Sequence, residues 1–155
     1  MVHWFKRSER GQSMVEVAVV SVFFMILAIM IYEAGIAFST YTVLLNASRE
    51  GGIYASAHPE LTTVLTDTTV YQEYLAVAAT EASSLPGWVD RDNASFRIDR
   101  PQLVQTNAST GEQGLRVRVT YNVRTFTSTI SLPFFGRMGL PSYWPISAWT
   151  VMPAR

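Results

Sequence analysis

The feature that most constrains this chain is an apolar run with no charged residue from Val17 to Tyr32. With Glu33 as its one interruption, the run extends to Phe38 and covers 22 residues. A helix of that length spans roughly 33 Å, enough to cross the hydrocarbon core of a lipid bilayer. A buried core helix of a soluble protein is the alternative. The run is apolar on all faces, however, and this favours a membrane span.

The charges before the run predict its orientation. Lys6, Arg7 and Arg10 precede it, and only Glu9 opposes them. Basic flanks stay in the cytoplasm, so we predict a single-pass protein of the cytoplasmic (inner) membrane with its C-terminal part outside. A secretory signal peptide is harder to fit, because small residues follow a core that is too long. No proline follows before Pro59, so the helix is expected to continue as an anchor that is kept.

The remaining composition argues against several functions. Residues 55–155 carry eight acids and eight arginines, so there is no electrostatic case for nucleic acid. The chain has no cysteine, which excludes disulfides, thiolate catalysis and cysteine-based metal sites. His3 and His58 are far apart, and a metal site needs several convergent ligands. There is no P-loop, Gly-x-Ser-x-Gly or His–Glu metal motif, so we predict no catalytic residue, metal or cofactor.

A short pattern surrounds the acid at the start of the run. Gly11 follows Arg10, and Glu16 lies five places beyond the glycine. This pattern resembles the type III signal of type IV pilins and pseudopilins. The resemblance implies that a prepilin peptidase cuts after Gly11, that Gln12 becomes the first residue, and that Glu16 fixes the register of assembly. Read from the residues alone, Glu16 could also be an interfacial acid that the helix dipole favours.

A second resemblance concerns the segment after the apolar run. The strings "YEAG" at residues 32–35 and "NASREGGIYA" at residues 46–55 are similar to those of TadE-like proteins, over roughly residues 7–57. These are pseudopilins, or minor pilins, of tight-adherence (Tad or Flp) type IV pili. Major Flp pilins tend to carry tyrosine after the glutamate and are very short, whereas this chain has Val17 and 155 residues. Both differences favour the minor class.

The TadE-like resemblance implies a function and a set of partners. The expected function is participation in the assembly of pili used for adherence, with no catalysis. The expected partners are the prepilin peptidase, a sister minor pilin, the major Flp-type pilin, the Tad inner-membrane assembly platform and the lipid bilayer. An unprocessed single-pass anchor that carries a binding or sensor domain is the alternative. A membrane-tethered enzyme is a third class, and no site residues support it.

Small residues recur at helical spacing in the TadE-like segment. Ala47, Gly51 and Ala55 are four apart, and Gly52 lies on the adjoining stripe. Such stripes allow close helix packing, here against a partner or against the chain's own outer domain. Gly35, in the Glu-x-Gly step, is assigned the same role. The alternative is that the helix ends at the glycine pair, with Gly51 or Gly52 as its cap.

The sequence after residue 57 predicts a small α+β domain. Residues 70–85 form the expected second helix, with Val70, Tyr74, Val77 and Ala78 on one face. "ASFRIDRPQLVQ" is expected to be an edge or bent strand, and "LRVRVTYNV" alternates as a strand with one wet face. "PISAWTVMP" is the expected last strand. The fold class is therefore α+β: a long transmembrane stem helix, a second helix and an antiparallel sheet.

We expect three segments: a cleaved leader at residues 1–11, a transmembrane and stem helix at 12–57, and an extracytoplasmic domain at 58–155. The aromatic loop at residues 131–145 is either packed under the sheet or exposed as a binding patch.

Overall fold

The structure is a computed structural model that describes residues 9–63, 65–66, 68–85, 95–107, 111–125, 131–132, 136–137 and 141–153. The chain divides into two compact units, Met1–Gly35 and Ile36–Arg155. The predicted limits at residues 11 and 57 stay a prediction. The second unit begins inside the predicted stem helix.

The first helix, α1, runs from Glu9 to Ala57 and has 49 residues, a length of about 70 Å. It continues through the glycine pair at residues 51–52, so the alternative that the helix ends there is wrong. It ends at Ala57, two residues before Pro59, where a short 3₁₀ helix begins that runs to Thr62.

The second helix, α2, runs from Thr69 to Ala82. Thr68 is its N-cap, and the Thr68 hydroxyl accepts a hydrogen bond from the backbone N–H of Tyr71. The helix is three residues shorter than predicted at its C-terminal end. Its buried face is also shifted, because Val70 and Val77 are only half-buried. The buried residues are Tyr71, Tyr74, Ala78, Ala79 and Ala82.

The described strands are β1 (Phe96–Ile98), β2 (Gln102–Asn107), β3 (Glu112–Arg124), β4 (Ser131–Leu132), β5 (Gly136–Arg137) and β6 (Tyr143–Pro153). Four of them, β1, β2, β3 and β6, form one antiparallel sheet, and β4 pairs with β5. Strand β3 is central. Strand β6 pairs along one side of it from Gly114 to Arg124, and β2 and β1 lie one after the other along the opposite side.

The alternation predicted for β3 is confirmed. Its inner residues are buried and its outer ones are exposed or half-buried. The string expected to be an edge or bent strand becomes two strands, β1 and β2, with the buried Pro101 between them. A proline has no N–H for a strand ladder, so the break falls there.

The hydrophobic core of the second unit lies between the inner face of β3 and the two helices. Helix α1 contributes Leu44, Ala47 and Ala55, and α2 contributes its two buried tyrosines and small residues. The members of the core on β3 are Leu115, Val117, Val119, Tyr121 and Val123. The predicted α+β fold, with a long apolar helix, a second helix and an antiparallel sheet, is confirmed.

Candidate functional site

The predicted cleavage position lies within the first turns of α1. Gly11 and Gln12 are both helical and exposed. The side-chain amide of Gln12 donates a hydrogen bond to the Glu16 carboxylate, with 3.2 Å between Nε2 and Oε1. The flanking Val15 and Val17 are 64% and 63% exposed. Glu16 therefore stands in an apolar surface with a polar neighbour one turn before it. The leader residues Lys6 and Arg7 lie outside the described residues.

The first unit presents its apolar side chains outward. No residue from Gly11 to Ala28 is buried or even half-buried. In the described part of the chain, one helix, Gly11–Ala57, is long and apolar enough to span a membrane. Gly35 is exposed as well, and a Cβ built on it would meet nothing within 4 Å.

The predicted small-residue stripe lies in the second unit, against the chain's own helix and sheet. Ala47 and Ala55 are fully buried. A Cβ built on Gly51 would lie 3.3 Å from the Tyr74 ring, and 3.4 Å from the Ala78 and Val117 side chains. These distances are already tight for carbon contacts. Glycine therefore allows α1 to approach α2 and the centre of β3 more closely than a larger residue would.

At Gly52, α1 lies against strand β6. A Cβ built there would lie 2.9 Å from Thr150 Cγ2 and 3.0 Å from Met152 Cγ. Thr150 and Met152 lie opposite Val117 and Leu115, so they belong to the inner face of the sheet. The two glycines thus let α1 pack closely on three elements, α2 and β3 at Gly51 and β6 at Gly52. The stripe has its contacts within the chain, rather than being left open for a partner helix.

A polar network joins the end of α1 to α2. The hydroxyl of Tyr54 donates to Glu73 Oε2 over 2.7 Å, and the Tyr54 ring stacks on His58 with 4.5 Å between centroids. The hydrogen bond to the carboxylate, with some desolvation, raises the pKa of Tyr54 to about 12. Sequence reasoning missed this contact, because 19 residues separate the partners and no local pattern relates them.

His58 has a partner at the start of the 3₁₀ helix. Its Nδ1 lies 2.9 Å from Glu60 Oε1. A backbone hydrogen bond at Glu60, together with His58, lowers the pKa of that carboxyl. In the described ranges no group of three or more His, Asp or Glu residues could hold a metal ion.

Tyr74 fixes the connection between β1 and β2. It is fully buried, and its hydroxyl donates to the main-chain carbonyl of Asp99 over 2.8 Å. Burial is the main reason that the pKa of Tyr74 is raised. The sequence placed Tyr74 on one face of the second helix with Val70, Val77 and Ala78, but its hydrogen bond depends on the residues that follow β1.

The side chains of the aromatic loop lie outside the described residues from 131 to 140. Of the rest, Tyr143 is 57% exposed and Trp144 43% exposed, both on β6. Whether the loop is buried or forms a patch stays a prediction.

Among the described residues, one apolar helix near the N-terminus precedes a small α+β unit, and this is consistent with a membrane-anchored pilin. Residues 11–52 match the family model of TadE-like proteins, and the predicted resemblance is confirmed over these residues. That family is structural and non-enzymatic, and it is related to Tad pili. No curated protein and no solved structure matches the chain.

Proposed function

We propose that this chain is a minor pilin of a tight-adherence pilus, made as a prepilin and held in the cytoplasmic membrane by α1. The observation that carries the proposal is the TadE-like match over residues 11–52. That match begins at Gly11, the residue after which cleavage is predicted. It also covers Glu16, the apolar run and the glycine pair.

The proposed processing step is hydrolysis of the peptide bond between Gly11 and Gln12 by a prepilin peptidase. Water adds across this bond, leaving a carboxylate on Gly11 and an ammonium group on Gln12. Glu16 lies one turn further on, and the Gln12 side chain already reaches it. A positive charge in this turn lowers the cost of a carboxylate at the edge of the hydrocarbon, which is up to about 3 kcal/mol for a deep position.

In the assembly, the ammonium group of a neighbouring subunit can take the same place. A charge that is left without its partner in apolar surroundings is strongly destabilising. The pair between Glu16 and the neighbouring ammonium group therefore favours one axial register between the two helices. The exposed apolar surface from Gly11 to Ala28 supports this proposal, because it gives neighbouring helices or lipid a continuous face.

The proposed topology places the N-terminus in the cytoplasm and the α+β unit outside. The proposed partners are the prepilin peptidase, a sister minor pilin, the major Flp-type pilin and the Tad assembly platform. Adherence then belongs to the assembled pilus, and this chain contributes to building it.

The first experiment determines the N-terminal residue of the protein purified from its native membrane, by intact mass and terminal sequencing. We expect a chain that begins at Gln12, and a full-length chain in Gly11→Ala. Gly35→Ala is the matched control and should be processed normally. An unprocessed wild-type chain in cells with an active prepilin peptidase would overturn the proposal and favour an unprocessed anchor with a binding or sensor domain.

The second experiment separates processing from assembly. Glu16→Gln keeps the shape of the side chain and removes its charge. We expect normal cleavage, loss of co-purification with the sister minor pilin, and few or no pili in the sheared fraction. Glu50→Gln, an exposed acid further along α1, is the control and should assemble normally. Full piliation in Glu16→Gln would contradict the proposed register role.

A further inference from the structure

The outer face of the sheet carries a groove of about 350 Å³ that the proposed pilin function does not use. It lies over the centre of the sheet, and side chains of β2, β3 and β6 line it. Its volume is at the lower end of the range for small-ligand sites. It lies within the second unit, and all of its lining residues are described.

The groove is positively charged. Arg116 and Arg118 lie two residues apart on β3 and share its outer face, so their Cα atoms are about 7 Å apart. Arg116 donates to Gln102 over 2.9 Å, and Arg118 to Ser147 over 3.3 Å, so neutral groups hold both guanidinium groups. Arg100 also lines the groove, but its guanidinium carbon lies over the Tyr71 ring, 5.8 Å from the ring centroid, so Arg116 and Arg118 are the cations that are open to a ligand. In the described part of the chain, these three arginines form no ion pair.

The one acid in the lining is already neutralised. Asp99 accepts a hydrogen bond from Arg97, with 2.8 Å between Oδ1 and Nε. The groove therefore has an excess of positive charge, although the whole chain has a formal net charge of zero. Charge complementarity calls for an anionic ligand.

A flat aromatic surface lies beside these cations. Trp149 is directly opposite Arg118 in the register of β3 and β6 and lines the same groove. Its side chain is 60% exposed. An indole that stays this open on a rigid strand offers a stacking surface for a ring with an apolar face.

We propose that this groove binds an acidic saccharide, a sugar ring that bears a carboxylate. The ring stacks on Trp149, and the carboxylate accepts hydrogen bonds from Arg116 and Arg118. Guanidinium groups suit planar carboxylates, which they can bind with two parallel hydrogen bonds.

Other anionic ligands fit the geometry less well. A free phosphate has no ring to cover the indole. An extended acidic peptide would use main-chain hydrogen bonds, which strand edges provide. Here β3 is paired on both sides at residues 114–116 and 119–121, so its main chain is engaged under the groove. A compact ligand held by side chains remains. The inference stands independently of the proposed pilin function.

The test uses the full chain in detergent micelles, titrated with short oligogalacturonates and observed by saturation-transfer NMR and calorimetry. We expect saturable binding, and no binding of neutral malto-oligosaccharides. Arg118→Gln should weaken binding by about tenfold or more, since a hydrogen bond to a charged group is lost. Trp149→Ala should weaken it comparably.

Two matched controls lie on the same strands outside the groove. Arg124→Gln and Trp144→Ala remove an exposed arginine and an exposed tryptophan, and binding should stay within about twofold. Circular dichroism checks that each variant is folded. Absence of saturable binding, or equal losses in Arg124→Gln and Arg118→Gln, would overturn the proposal. Tighter binding of polyglutamate or anionic phospholipid vesicles through the same residues would also overturn it.

Discussion

The two halves of α1 have similar lengths and opposite surroundings. From Gly11 to Ala28 every side chain is exposed, whereas from Thr40 to Ala55 the helix buries residues in almost every turn. From Val17 onward the first half is apolar on every face and includes large residues such as Phe23 and Phe24. The second half has one buried face of mostly small residues. A helix that packs against its own sheet needs small residues on one face, while a helix surrounded by lipid can be apolar on every face.

The largest effect is expected at Gly52, where the second half of α1 lies against strand β6. Gly52→Val places methyl groups where a single Cβ already lies 2.9 Å from Thr150. Overpacking of this kind should lower the free energy of unfolding by about 3 kcal/mol. Denaturant titration in detergent, followed by near-ultraviolet circular dichroism, measures it. Gly35→Val is the control. Equal free energies of unfolding for the two variants would contradict the difference in packing between the two halves of α1.

The next effect concerns the polar contact inside the core. Tyr74→Phe leaves the Asp99 carbonyl without its donor, which should cost about 1–2 kcal/mol of unfolding free energy. Tyr32→Phe, on the first half of α1, should leave the unfolding of the sheet unchanged, because Tyr32 is 61% exposed. The same denaturant titration tests both. A Tyr74→Phe variant as stable as the wild type would show that the hydrogen bond contributes little.

A smaller effect, of opposite sign, distinguishes two glycines of one helix. Gly35→Ala meets no neighbour, so it should stabilise α1 locally by up to about 1 kcal/mol. Gly51→Ala makes the same gain in helix propensity but crowds Tyr74 and Val117, so its net effect should be near zero or destabilising. Amide hydrogen exchange around each position reports the difference. Equal protection in both variants would contradict the role of close packing at Gly51.

The smallest effect concerns the hydrogen bond between Tyr54 and Glu73, and it is detected by raising the pH above 10. The pKa of Tyr54 is raised to about 12 in the folded chain, from an ordinary value of 10. Its bond to Glu73 therefore stabilises the fold fully below pH 10, and this contribution is lost as the pH rises toward 12. The difference in Tm between wild type and Tyr54→Phe should shrink over that interval. Tyr41→Phe is the control, and a difference that stays constant to pH 12 would argue against this contact.

Local patterns in the sequence predicted much of this fold. The alternation of β3, the end of α1 before Pro59 and the existence of α2 follow from rules that act over a few residues. The bounds of α2 and the rotation of its buried face were less accurate. Its two buried tyrosines take the inner positions, and their packing against α1 and the sheet decides which residues are covered.

The candidate sites also differ in how far local sequence patterns could predict them. Gly11, Gln12 and Glu16 form a local motif, so the sequence suffices to propose them. The sequence predicted either close packing at Gly51 and Gly52 or the end of the helix there. It also left open whether the packing would be against a partner or against the chain itself. The Arg118–Trp149 pair depends on the register of β3 and β6, which tertiary pairing sets. The sequence predicted both strands and the alternation that puts Arg118 on the wet face of β3, but it could not relate Arg118 to Trp149.

The close packing at Gly51 and Gly52 constrains which segments of the chain can be exchanged during evolution. Residues 36–57 cover the inner face of the sheet, so a chain that exchanged its whole stem for that of a relative would place ill-fitting side chains on Val117, Thr150 and Met152. A fragment that begins after Ala57 would lack the α1 residues that cover this face of the sheet. The apolar face would then be exposed to solvent and prone to aggregation. The apolar residues from Val17 to Ala28 are all exposed, so such an exchange disturbs no packing there, whereas the second half of α1 and the sheet must evolve together.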